Sequence, residues 1–326
     1  MSSDVICLRP EHDFLKVGVT PSQSLSIRYL SPDDSDLAVH MTEARVLVIP
    51  AVGPKLPAEL FADSTVELVQ VTGAGVDRID ADAMKALGIC VANVPGGSGA
   101  AVAEYAVSSA LVLLRQTCWA DAELRKGNYV ETRKSMVAAN PAGLEGLTVG
   151  VVGFGIIGMA VAKAFHCMGS RIVYHDPVVR DPDLATRLGA RALPLKELLG
   201  CSEIVTLHVP LLPSTRSMIG ERELERMQAG AVLINAARGG IVDEAALAAQ
   251  LLSGRLGGAA VDVYSTEPPL ADNPLFSIGN EAGGRLLLTP HIAGVTRQSW
   301  EFLFRSAWQN VERVLIQDEP PANRVF

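Results

Sequence analysis

The chain has 326 residues, 48% of them hydrophobic and 20% charged, enough for two packed domains with sizeable cores. Its net charge of −8 speaks against a nucleic-acid or anionic-membrane partner, since phosphate surfaces attract basic patches. The five cysteines, Cys7, Cys90, Cys118, Cys167 and Cys201, form no C-x-x-C pair, so neither a zinc site nor a disulfide framework is expected. They read as reduced, mostly buried thiols of a cytosolic protein. The first residues, Met-Ser-Ser-Asp-Val-Ile, lack the basic and apolar regions of a signal peptide, which fits a cytoplasmic location. The apolar run 147–162 is broken by glycines and shorter than the ~20 residues that span a bilayer, so a buried strand and helix is expected there.

In chain order, three β-rich runs come first, at 45–50, 66–72 and 89–93. Helical stretches separate them, such as 81–87, which Gly88 closes in the manner of a C-cap. Alternation of this kind implies a parallel sheet with right-handed crossovers. The segment Val94-Pro-Gly-Gly-Ser-Gly99 suits a linker or hinge, and an apolar helix is predicted over 100–115. A stronger βα rhythm then begins, with strands predicted at 148–152, 171–175, 204–208, 231–235, 259–263 and 286–289. Six such strands with crossover helices suit a doubly wound dinucleotide-binding sheet. A last helix, 297–316, has no strand left to pair with and is expected to return to the first domain.

Chemistry concentrates at the strand ends of the second half. Gly153-Phe-Gly155-Ile-Ile-Gly158 follows a predicted strand and opens a predicted helix. Gly153 permits the tight turn, Gly155 lets the backbone approach a pyrophosphate, and Gly158 allows close helix packing. A bare G-x-G-x-x-G is weak evidence, but the next strand ends on Asp176, 18 residues past Gly158. A carboxylate there accepts hydrogen bonds from adenosine ribose hydroxyls and repels a 2′-phosphate, which selects NAD over NADP. The plainer reading makes Asp176 a turn residue before Pro177.

Asn235-Ala-Ala-Arg238-Gly-Gly lies at another predicted strand end. The planar fork of Arg238 matches a carboxylate in a bidentate way, although a surface ion pair explains it about equally well taken alone. Asp262-Val-Tyr-Ser-Thr-Glu267 and Leu288-Thr-Pro-His291 follow at two further strand ends. A histidine beside a carboxylate makes a proton donor suited to a carbonyl oxygen. Singly, His291 reads as structural and Glu267 as a solvated loop charge; together with Arg238 on successive strand ends they point to a site.

Over nearly its whole length the sequence resembles the D-isomer-specific 2-hydroxyacid dehydrogenases. The likeness rests on Thr72-Gly-Ala-Gly-Val-Asp77-Arg-Ile-Asp80, Val102-Ala-Glu104, the glycine fingerprint, His208-Val-Pro210-Leu and the three segments above. It implies a two-domain α/β fold: a Rossmann doubly wound parallel sheet plus a smaller, discontinuous flavodoxin-like α/β substrate domain. The substrate domain is expected to span 1–98 and 295–326 and the NAD-binding domain 99–294, with 119–146 a candidate arm for a homodimer.

The resemblance also implies NAD-dependent hydride transfer at C2 of a small D-2-hydroxy or 2-oxo acid of the hydroxypyruvate, glyoxylate or phosphoglycerate type. Arg238, Glu267 and His291 are then catalytic. Ala74 and Gly75 hold the substrate carboxylate together with Arg238 and His291. Gly153, Gly155, Ile156, Ile157, Gly158, Asp176, His208, Pro210, Thr215, Ala236, Arg238, Asp262 and His291 border the dinucleotide, with Asp262 meeting the nicotinamide carboxamide. No metal, nucleic acid or membrane enters this reading. Ending at residue 326, the chain is expected to lack the C-terminal regulatory domain of some relatives. The loop Gly96-Gly-Ser-Gly-Ala100 departs from relatives that place an aromatic or amide side chain there, and so is silent on substrate identity. Arg297 and Trp300 read equally as substrate-tail contacts or as helix surface and core. The competing reading is an NAD-sensing, corepressor-like binding protein of the same fold.

Overall fold

A computed structural model describes residues 4–178, 181–278 and 284–326. The start of the N-terminal Met-Ser-Ser-Asp-Val-Ile stretch, residues 1–3, lies outside them. Two compact units are present, Met1–Ser98 with Val295–Phe326, and Gly99–Gly294.

The smaller unit begins β1 (Val5–Cys7), α1 (Glu11–Leu15), β2 (Ile27–Tyr29), α2 (Leu37–Met41), β3 (Val46–Ile49), β4 (Leu68–Val71), α3 (Ala81–Leu87) and β5 (Cys90–Ala92). All five strands are parallel, in the order β2-β1-β3-β4-β5, which is the flavodoxin-like arrangement. Every residue of β1, β3 and β4 is buried, as apolar strands covered on both faces must be. Helix α3 starts where the Asp80 carboxylate accepts from Ala83 N–H, and it stops at Gly88 in the left-handed conformation. Strands β1 and β2, three residues each, were not among the predicted runs, being too short to show a period of two.

The larger unit runs α4 (Gly99–Leu114), α5 (Thr117–Arg125), α6 (Tyr129–Ala139), β6 (Thr148–Val152), α7 (Ile156–Cys167), β7 (Arg171–His175), α8 (Pro182–Arg187), β8 (Arg191–Ala192), α9 (Leu195–Cys201), β9 (Ile204–Leu207), α10 (Glu221–Arg226), β10 (Val232–Asn235), α11 (Glu244–Leu252), β11 (Gly258–Val261), α12 (Pro274–Ser277) and β12 (Leu286–Leu288). Its sheet is wholly parallel, ordered β12-β11-β10-β9-β6-β7-β8, so the winding reverses between β6 and β9. That is the dinucleotide-binding order, with the ligand crevice at the carboxyl ends of the strands flanking the reversal. Among the described residues the sheet has seven strands where six were expected. The extra one, β8, is a two-residue exposed edge with no hydrophobic signal to betray it.

The chain then re-enters the smaller unit as α13 (Arg297–Leu315). Its apolar stripe, Leu303, Phe304, Ala307, Trp308 and Val311, packs with Val5, Cys7, Val46, Val48 and Leu68 on one face of that sheet. Phe14 stacks into the same cluster, 4.7 Å from Phe304 between ring centroids. Burying an aromatic of this size stabilises by on the order of 2–3 kcal/mol. The thiols correct one expectation. All five cysteines are free, but only Cys7 is buried; Cys90 and Cys201 are half-buried, and Cys118 and Cys167 are exposed because their helices turn them outward. Among the described residues no helix is long and apolar enough to cross a membrane.

Candidate active site

The glycine turn after β6 is set by close backbone approach. Gly153 has φ +90°, and a Cβ there would lie 2.4 Å from the His208 carbonyl oxygen. A Cβ on Gly158 would lie 1.9 Å from the Gly153 carbonyl oxygen, so only glycine lets α7 sit this close to its strand. Gly155 is the N-cap of α7 and supplies no side-chain cap, which leaves first-turn N–H groups available to an anion. Ile156 at this helix start is exposed and Ile157 half-buried.

Asp176 follows β7 and does more than its type suggested. Oδ2 accepts from Phe154 N–H at 2.6 Å, inside the glycine turn, and Oδ1 accepts from Val178 N–H at 2.8 Å. The carboxylate thus braces the turn while keeping lone pairs for other donors. A turn with this shape, an uncapped helix start and an acidic brace fit the pyrophosphate and ribose of NAD.

His208, just past β9, shares a 2.8 Å hydrogen bond with Thr206 Oγ1. Burial pushes its ring down to about 3, so it is neutral at physiological pH. Thr215 Oγ1 donates to the Pro210 carbonyl at 2.6 Å and closes the following loop. Ala236, directly after β10, is half-buried.

Three strand-end segments converge at the carboxyl ends of β10, β11 and β12. Asn235 Nδ2 donates to the Arg238 carbonyl at 3.3 Å, and Arg238 Nη1 donates to the Ala237 carbonyl at 2.7 Å. Gly239 presses on the next loop: a Cβ there would stand 1.7 Å from the Tyr264 carbonyl oxygen. Glu244 fastens the same loop by accepting from Ser265 N–H and Asn273 Nδ2, both at 2.6 Å.

Glu267 Oε1 accepts from Tyr264 N–H at 3.0 Å, and Oε2 faces His291 Nδ1 at 2.8 Å. Burial pushes the Glu267 carboxyl up. The hydrogen bonds from His291 and Tyr264, with the charges of His291 and Arg238, outweigh it and hold the group below the usual carboxylate range. An ionised carboxylate can only accept, so Nδ1 carries the proton that binds it and Nε2 is the nitrogen free to exchange a proton elsewhere.

Sequence reasoning missed the scaffold behind His291. That residue sits in the left-handed region, φ +56°, a strained conformation for a non-glycine residue. Asp262 holds it there: its carbonyl accepts from His291 N–H at 2.8 Å. Its fully buried carboxylate accepts from Thr289 Oγ1 (2.6 Å), Ile292 N–H (2.8 Å) and Ala293 N–H (2.8 Å). Thr289 has one hydroxyl proton and gives it to Asp262, so Tyr105 of α4 must donate to Thr289 Oγ1 across their 2.7 Å contact. Tyr264 Oη adds a 3.0 Å bond to the Thr289 carbonyl. The sequence signal for Tyr105 is a phenol on a largely apolar helix.

Ala74 and Gly75 lie in the smaller unit on the loop after β4, Ala74 exposed and Gly75 half-buried. Asn93 Nδ2 donates to the Ala74 carbonyl at 2.6 Å and fixes that loop. Arg297 is exposed on α13, whereas Trp300 packs beside Phe304 at 5.4 Å. Among the described residues no cluster of His, Cys, Asp and Glu suits a metal ion.

Residues 107–293 match the NAD-binding domain of D-isomer specific 2-hydroxyacid dehydrogenases. The chain belongs to that family. It is 37% identical over 246 residues to the D-3-phosphoglycerate dehydrogenase of Archaeoglobus fulgidus, covering 75% of this chain and 45% of that protein. It is 39% identical over 248 residues to the (S)-sulfolactate dehydrogenase of Chromohalobacter salexigens, covering 74% of each. The structure of a glyoxylate reductase from Paecilomyes thermophila aligns with a TM-score of 0.82 at 26% identity, covering 100% of this chain and 99% of that one. The match thus spans about half the length of the phosphoglycerate dehydrogenase.

Proposed function

We propose that this chain is an NAD-dependent oxidoreductase acting at C2 of a small D-2-hydroxy or 2-oxo acid. The observation that carries the reading is the 2.8 Å pair of Glu267 and His291, with the Arg238 charge bearing on the same carboxylate, at the strand ends of a nucleotide-binding sheet. Bound NAD would supply the hydride donor or acceptor at its nicotinamide ring.

The chain's own groups do the rest. Arg238 offers a planar fork to the substrate carboxylate and draws electron density from the C2 carbonyl. His291 Nε2 passes a proton to the carbonyl oxygen in reduction and takes it back in oxidation, while Glu267 holds the protonated ring. Ala74 and Gly75 offer backbone N–H groups to the carboxylate. Asp176 receives the ribose hydroxyls, and Asp262 keeps acceptor capacity for an amide donor. Ile156, Ile157, His208, Pro210, Thr215 and Ala236 border the dinucleotide. Substrates of the hydroxypyruvate, glyoxylate or phosphoglycerate type suit this chemistry, and two relatives are named for phosphoglycerate and sulfolactate.

The smaller unit is the substrate domain in this reading, and the larger one binds NAD. A homodimer through the arm 119–146 is supported by Leu124, Tyr129, Val130 and Val137, all large apolar side chains left exposed on α5 and α6. The five free thiols suit a cytoplasmic enzyme. The test is consumption of NADH and NADPH, in parallel, with hydroxypyruvate, glyoxylate, phosphohydroxypyruvate and sulfopyruvate. Turnover with NADH is expected. Preference for NADPH would overturn the role of Asp176; tight NADH binding without turnover of any acid would favour an NAD-sensing protein instead.

A further inference from the structure

The smaller unit holds a cluster of cationic donors that the proposed chemistry leaves unused. Arg78 is 3% exposed, and among the described residues no carboxylate pairs with it. Its Nε donates to the Pro54 carbonyl at 2.8 Å and Nη1 to the Pro50 carbonyl at 3.0 Å, while Nη2 is buried with no acceptor among the described residues. A buried guanidinium held only by neutral carbonyls is costly unless something supplies the missing charge.

The register of the sheet shows what lies beside it. Cys7 pairs with Val48 and Ile49 with Val71, so Arg9, Pro50 and Thr72 stand in one row just past the ends of β1, β3 and β4. Strands are ~4.8 Å apart, and the row therefore spans about 10 Å. Arg9 Nε and Thr72 Oγ1 are also buried without hydrogen-bond partners among the described residues. The Arg9 guanidinium is stacked 5.2 Å from the Trp300 ring centroid and 4.8 Å from that of Phe304, which fixes it in place. Among the described residues its one carboxylate partner is Asp13 at 2.9 Å, which also lies 3.8 Å from Lys16, so the cations Arg9, Arg78 and Lys16 share this one carboxylate. Arg78 reaches the same row through its 3.0 Å bond from Nη1 to the Pro50 carbonyl, and Pro50 is the register neighbour of Arg9.

This row occupies the point in the sheet where β1 has β2 on one side and β3 on the other. Parallel sheets of this topology bind ligands outside the strand ends at that reversal. The exposed loop 51–55 lies over it, with Gly53 so near Arg78 that a Cβ would be 3.1 Å from the guanidinium carbon.

We propose that the smaller unit binds an oxyanion (carboxylate, sulfonate or phosphate) between Arg9 and Arg78 with Thr72 as a further donor. Resting on the oxidoreductase reading, that oxyanion is the second anionic group of the substrate, whose own carboxylate meets Ala74 and Gly75 on the loop that Thr72 begins. The enzyme is then specific for dianionic 2-oxo acids.

The experiment compares wild type with Arg9→Met, which keeps the aliphatic stack, and Arg78→Lys, each checked for folding by circular dichroism. With NADH, kcat/KM is measured for sulfopyruvate and phosphohydroxypyruvate against pyruvate and hydroxypyruvate. In wild type the dianions should be preferred, and in Arg9→Met the dianion-to-monoanion ratio should fall about tenfold or more, the worth of one charge-assisted hydrogen bond. An unchanged ratio overturns the substrate assignment. Separately, calorimetric titration with inorganic sulfate, without cofactor or oxo acid, tests the anion site even if no acid is turned over. Binding by wild type that weakens in both variants supports the site; absent binding, or binding that neither variant changes, overturns it.

Discussion

The bracing of His291 lends itself to a quantitative test through Thr289. Its single proton goes to the buried Asp262 carboxylate at 2.6 Å, and its oxygen receives the Tyr105 proton at 2.7 Å. Tyr105→Phe removes a neutral donor and leaves a hydroxyl oxygen under-used, a loss of about 0.5–1.5 kcal/mol. Thr289→Val removes a donor to a charged, buried acceptor and takes away the acceptor of Tyr105 as well, a loss of about 2–4 kcal/mol. Once Thr289 is gone, deleting the Tyr105 hydroxyl should cost little more, so the double variant should fall short of the sum by about 1 kcal/mol. Urea unfolding of the four proteins gives the cycle. Amide exchange at Ile292 and Ala293, whose N–H groups also donate to Asp262, reads the loop directly and should quicken most in Thr289→Val. Strict additivity, or a Tyr105→Phe loss equal to that of Thr289→Val, would refute the direction of these hydrogen bonds.

Arg238→Lys keeps the charge but not the fork, and kcat/KM on the preferred acid should drop by about a hundredfold or more; near wild-type kinetics would remove the bidentate clamp. Glu267 titrates below the usual carboxylate range and so is charged at neutral pH, favouring the protonated partner it faces. In Glu267→Gln that support is gone, and the pH above which oxo-acid reduction declines should move down; an unmoved profile takes Glu267 out of proton handling. Gly158→Ala forces a Cβ to within 1.9 Å of the Gly153 carbonyl oxygen and should destabilise the larger unit by more than about 2 kcal/mol, read as a lowered thermal midpoint together with weakened NADH binding.

The larger unit was more legible in sequence than the smaller one. Strands 148–152 and 171–175 begin and end where expected, because each is a buried, branched-apolar run stopped by glycine or aspartate. Strands β1, β2 and β8 escaped notice for want of length, and the packing around them, not their own pattern, makes them strands. Glu267 and His291 were visible as residue types at strand ends, and the structure brings them within 2.8 Å. The support beneath them was not visible, since the ties from Tyr105 to Thr289 and from Thr289 to Asp262 bridge 184 and 27 residues of chain. The double duty of Asp176 was hidden likewise: its contact with Phe154 spans 22 residues and depends on the shape of the glycine turn.

One face of the five-stranded sheet waits for α13, which comes only after residues 99–294 have been made. During synthesis Val5, Val46, Val48 and Leu68 must therefore stand uncovered, or under a temporary occupant, while the intervening unit is completed. The seven-stranded sheet carries no such dependence and can close first. A chain truncated after residue 296 should accordingly display one unit resistant to protease and another that is cut, and restoring residues 297–326 should protect both.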